Sequence, residues 1–113
     1  MNADVKARWV EALRSGKYRQ GREQLRTFDE FCCLGVLCVV ADVAWEFNEH
    51  QGEYAVDGEI DELTDNVRTM LGLEMEQQAR LIRMNDGEGS PADTVYQRPH
   101  SFAEIADYIE ANL

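Results

Sequence analysis

Apolar and polar residues alternate along the chain in blocks whose spacing predicts helices. Val5, Trp9, Ala12 and Leu13 recur on one helical stripe, while Lys6, Arg8, Glu11 and Arg14 take the wet side. Asn2 or Asp4 can cap this first helix, and Gly16 stands where a helix stops. The segment SGKYRQGREQLRTFDE follows, with Gly16 and Gly21 bracketing Lys-Tyr-Arg-Gln. It reads as a loop carrying a short strand or hairpin around Tyr18 to Leu25. Leu34 to Phe47 is apolar on nearly every face and is expected to be a central helix, with Asp42 and Glu46 sharing its one polar stripe.

Beyond it the pattern changes. Asn48 to Gly58 is polar and turn-rich, with Glu-Tyr-Ala-Val as a short strand. Ile60, Leu63, Val67, Met70 and Leu71 fall on one helical face that ends at Gly72. Met75, Ala79 and Ile82 mark another, and Asn85-Asp86-Gly87 reads as the turn after it. Glu88 to His100 is a long loop with a short strand at Thr94 to Tyr96. Ser101 and Glu104 form a capping box for a last helix whose buried face is Phe102, Ile105, Ile109 and Leu113. The expected fold is mainly α, about five helices around a buried central helix with a small β-hairpin or short strands, with α+β as the alternative.

Length and composition bound the rest. A chain of 113 residues is expected to form one globular domain, 1–113, and its 44% apolar content is that of a globular protein rather than a disordered one. No apolar run is long enough to span a membrane, and MNADVKARWVEALRSG lacks the apolar core of a signal peptide. These features point to a cytoplasmic protein, and three cysteines, two of them adjacent, fit a reducing compartment. The net charge of −11 is uneven: residues 1–30 hold seven basic and five acidic side chains, residues 31–113 four and seventeen. An acidic body repels nucleic acid and favours basic partner surfaces.

All three cysteines lie within FCCLGVLC, residues 31–38. Vicinal Cys32 and Cys33 do not form an ordinary bridge. Their spacing, with His50 and His100 in distant loops, does not match a zinc site, so neither metal nor cofactor is expected. Cys33 at a helix start is a candidate nucleophile, because a helix N-terminus lowers a thiol pKa, but it needs exposure and a base. The alternative is that the cysteines pack a tight helix start, as Cys38 does within an apolar helix.

A second cluster runs against the global charge. Arg14, Lys17, Tyr18, Gln20 and Arg22 surround two glycines, a composition suited to a phosphate or carboxylate with a stacking base. The bland alternative is that these cations balance carboxylates elsewhere in the chain. Asn85 and Asp86 would join such a site if they face the loop, and otherwise serve as a cap and turn. The acidic tract from Glu46 to Asp65 is expected to be a solvated face, with mimicry of a nucleic-acid backbone as a minor option.

RWVEALRSGKYRQGREQLR, FCCLGVLCVVADVA, LIRMND and SFAEIADYIEANL together resemble an uncharacterised family of small phage and prophage proteins. The resemblance runs through nearly the whole chain apart from Asn48 to Ile60. It implies a phage accessory product in the host bacterial cytoplasm, and it places Gln20, Gly21, Cys33, Gly35, Asn85 and Asp86 at motif positions. It carries no catalytic role. The leading functional expectation is a non-enzymatic protein that binds and inhibits a host factor, a defence component above all. One alternative is a binder or sponge for a nucleotide signal using residues 14–22, and another is a thiol enzyme using Cys33. The partner is accordingly a host protein or a small anionic ligand. Surplus apolar surface on the central helix makes a homodimer an open alternative.

Overall fold

The computed structural model describes residues 1–113 and contains α1 (Ala3–Arg14), α2 (Cys33–Val40), β1 (Glu46–Asn48), β2 (Glu53–Ala55), α3 (Asp65–Leu71), α4 (Met75–Asp86) and α5 (Phe102–Asn112). The architecture is mainly α with one two-stranded antiparallel hairpin. Helix α2 is the hub, packed against α1 on one side and α4 on the other, and α5 closes the bundle against α1. Residues Cys33 to Cys38 of α2 are all buried, so the helix is apolar on every face because it has protein on every face. That burial lies within one chain. Trp9, fully buried, donates its indole N–H to the Cys33 carbonyl at 2.9 Å and ties α1 to the start of α2.

The helix ends follow local chemistry. The Asn2 side chain accepts from the backbone of Asp4 and Val5, and Gly16 takes the left-handed conformation (φ 75°) beyond α1. Ser101 and Glu104 form the reciprocal capping box at α5, where Phe102, Ile105, Ala106 and Ile109 are buried.

Several expectations are corrected. The helix expected over Leu34 to Phe47 stops at Val40; Asp42 adopts φ 56° and the chain turns into β1. Asp42 and Glu46 therefore share no helical stripe. Val43, Trp45 and Phe47 alternate with Ala44, Glu46 and Asn48, a period of two that the longer apolar run concealed. The short strand at Glu53–Ala55 pairs with β1 in the register Glu46↔Ala55, Phe47↔Tyr54 and Asn48↔Glu53. No hairpin forms over Tyr18 to Leu25. Phe31 instead threads between two parts of this loop, bridging Gln20 in parallel and Arg26 antiparallel.

Thr64 caps α3, so Ile60 and Leu63 precede the helix rather than belong to it, and Met70 is 66% exposed. On α4 the buried positions are Gln78, Leu81 and Asn85 rather than Met75, Ala79 and Ile82, because two of them are polar and hide the stripe. Asn85 and Asp86 form the last helical turn, with Gly87 as the cap. Thr94 to Tyr96 forms no strand; the loop is closed by paired hydrogen bonds between Glu88 and Gln97.

Candidate functional site

Asn85 is 1% exposed and uses both ends of its amide. Its Oδ1 accepts from the Cys33 backbone N–H (3.1 Å) and from Gln20 Nε2 (3.1 Å). Its Nδ2 donates to the Gly21 carbonyl (2.8 Å) and to Asp86 Oδ1 (2.9 Å), which also accepts from the Glu23 backbone N–H (3.1 Å). Gln20 Nε2 donates in addition to the His100 carbonyl at 2.9 Å. Asn85 of α4 thus ties the loop after α1 to the first turn of α2, and Gln20 of that loop extends the tie to the entry of α5.

Gly35 completes the arrangement: a Cβ there would lie 1.9 Å from the Leu25 carbonyl oxygen, so only glycine lets the loop backbone lie on α2. Gln20, Gly21, Cys33, Gly35, Asn85 and Asp86 therefore gather in one place. What they form is a saturated internal clamp, since every hydrogen-bonding atom of the Asn85 amide is occupied by protein.

The thiols are sealed beneath this clamp. Cys32 and Cys33 border a space of about 10 Å³, room for about one water. Burial pushes the Cys33 thiol well above its ordinary pKa, Cys32 up to about 11 and Cys38 up to about 12. Desolvation overrides the helix-terminus effect that made Cys33 a candidate. The Cys33 sulfur faces the Leu81 carbonyl at 3.7 Å rather than a base. All three cysteines are free. His50 is exposed in the hairpin turn, while His100 donates its backbone N–H to the Met84 carbonyl and has Nδ1 buried without a partner.

The basic loop does not converge on one pocket. Arg14 is held by Asp107 (2.7 Å) and Glu110 (3.1 Å) of α5, and its pKa is raised by these bonds, Asp107 first. Arg19 meets Asp29 and Glu30 at 3.5 and 3.6 Å. Lys17 and Tyr18 border a shallow cleft beside Arg8 and Ser15. Gln20 turns inward to Asn85, and exposed Arg22 makes no ion pair. Of the residues singled out, Gln20, Asn85 and Asp86 meet each other; Arg14, Lys17, Tyr18 and Arg22 are not part of that group.

The hairpin carries features that the sequence pattern did not reveal. One face presents Trp45, Phe47 and Tyr54, with Phe47 and Tyr54 rings 4.8 Å apart. Phe31, Trp45 and Tyr54 surround the Arg26 guanidinium at 5.1, 5.3 and 4.1 Å, cation–π contacts that fasten the hairpin to the body.

The opposite face, set by the period of two, bears Glu46, Asn48, Glu53 and Ala55. With Glu49 and Ile60 it lines an open groove of about 530 Å³. Between Arg26 and Arg68 the chain contains no lysine or arginine, so this segment supplies neither to the groove, whose lining also includes His50. The hairpin strands are three residues each, and all three residues of β1 are exposed.

No helix is long and apolar enough to cross a membrane. No curated protein and no solved structure matches the chain. A family described as Domain of unknown function (DUF8296) matches residues 1–113, its whole length. The chain thus belongs to the family DUF8296, a domain of unknown function.

Proposed function

We propose that this protein is a small acidic phage accessory protein of the host bacterial cytoplasm that binds and blocks a host factor, a defence component above all, without catalysis. The observation that carries the reading is the groove on the acidic face of the hairpin, lined by Glu46, Glu49 and Glu53. Its carboxylates face outward on a short, exposed hairpin anchored from behind by Arg26, an arrangement that favours a basic protein surface by charge complementarity. The inward commitment of Gln20, Asn85 and Asp86 leaves the motif residues to support the fold. The phage assignment is supported by the resemblance of the four sequence segments.

The test is affinity capture from a host lysate with wild-type protein and with a Glu49→Lys/Glu53→Lys variant, partners being identified by mass spectrometry. The reading expects one basic host protein enriched by the wild type and lost from the variant, with inhibition of that protein's activity on reconstitution. Equal capture by both proteins overturns it.

A nucleotide-signal sponge is the second reading, favoured by Lys17 and Arg22, which remain without ion pairs on the basic loop. It predicts a rise in thermal stability with a nucleotide; at about 100 times its dissociation constant a ligand adds about 2.7 kcal/mol.

A further inference from the structure

Next to the acidic groove lies a second one of different chemistry. Val56 and Val67 form a buried floor, and Val43, Ala44 and Met70 form walls around about 470 Å³ of open space. Met70 is 66% exposed although it extends the apolar side of α3, so the chain leaves this apolar surface uncovered. Glu46 and Asp57 stand at the mouth.

Both carboxylates are held in place from within: Glu46 accepts from the Gly58 backbone N–H at 3.3 Å and Asp57 from Thr64 Oγ1 at 2.6 Å. Neither makes an ion pair: Arg68, the nearest arginine in sequence to Asp57, is engaged with Asp65, and Arg26, the nearest to Glu46, lies against Phe31, Trp45 and Tyr54. Glu46 borders both grooves and so stands on the ridge between them.

We infer that this groove receives an apolar side chain flanked by lysine or arginine on a segment of the bound partner protein, the cation resting on Glu46 and Asp57. The inference rests on the proposed binding role of the hairpin and adds the anchor that gives it selectivity. Charge alone steers association, whereas a desolvated apolar anchor supplies the discrimination between basic partners. The same two carboxylates disfavour a second copy of this chain, whose own net charge is −11.

The experiment titrates the whole protein with two synthetic peptides of equal length and charge, one of alternating-turn Leu and Lys at helical spacing, the other with Ser in place of Leu. Affinity is measured by calorimetry, and the site by NMR shifts of the Val43, Val56, Val67 and Met70 methyls. The expected result is at least tenfold tighter binding of the Leu/Lys peptide, with shifts at those four methyls. That advantage should be lost in Ala44→Arg, and in Asn66→Arg should the first variant fold poorly; both positions are exposed. Equal affinity for the two peptides, with shifts confined to the hairpin, overturns the anchor and leaves the hairpin reading standing. Binding of neither peptide overturns both. A concentration-dependent dimer that Ala44→Arg dissociates overturns the partner in favour of a second copy.

Discussion

The carbonyl of Leu25 rests directly on Gly35, at a distance where a Cβ would come within 1.9 Å of its oxygen. The same carbonyl accepts the Cys32 backbone N–H at 3.2 Å, so the loop between α1 and α2 is stitched to the start of the central helix at its closest approach. Gly35→Ala cannot be absorbed by a flexible side chain, because the obstacle is backbone. It should cost about 3 kcal/mol or more, the upper end of overpacking, measured by urea denaturation. A loss under about 1 kcal/mol would show that the loop is free to lift.

Asn85→Ala removes four hydrogen bonds at once and leaves the Cys33 N–H and the Gly21 carbonyl without their partner. The expected loss is about 3 kcal/mol, the cost of stranding buried backbone groups. Hydrogen exchange at Cys33 and around Gly21 should accelerate more than exchange in α5, which distinguishes loss of the clamp from general destabilisation.

Much of this was legible in the chain and some was not, for physical reasons. The caps at Asn2 and Ser101 use side chains next to the helices they start, so short sequence patterns reveal them. The clamp joins residues 65 positions apart, Gln20 and Asn85, and no local pattern encodes such a pairing. The burial of Gln78 and Asn85 inverted the apparent face of α4, because each is satisfied by backbone groups brought in by the tertiary fold. The hairpin was half legible: β2 stands out among polar residues, whereas β1 continues an apolar run that began in α2.

The thiols predict an alkaline limb. Cys32 titrates at 9.0 ordinarily and at about 11 in the fold, and Cys38 at about 12. Between those values the unfolded chain releases protons that the folded chain retains, so stability present below pH 9.0 falls as pH rises toward about 11 and beyond. Chemical denaturation from pH 8 to pH 11, compared with a Cys32→Ala/Cys38→Ala variant, should show a steeper decline in the wild type. Iodoacetamide at neutral pH should leave all three thiols unmodified until the protein unfolds.

At the acid end the relevant pair is Arg98 and Glu104, 2.6 Å apart. The hydrogen bond from Arg98, and then that from the Ser101 backbone, hold Glu104 down at about 2 against an ordinary 4.5. A depressed carboxylate stabilises the fold above its unfolded pKa, and that contribution is lost as pH falls from 4.5 to about 2. Glu104→Gln should flatten this limb in a pH series of melting temperatures. Ser101→Ala should lower stability by about 1 kcal/mol through loss of the cap.

Under the proposed phage role, growth of a phage deleted for this gene, complemented with wild-type protein or with Glu49→Lys/Glu53→Lys, tests most directly whether the acidic hairpin groove carries the function. Both positions lie on that groove, and neither side chain makes an ion pair. With the variant's melting temperature matched to the wild type, the groove reading predicts that wild type restores plating and the variant does not. Equal restoration by the two proteins would contradict it.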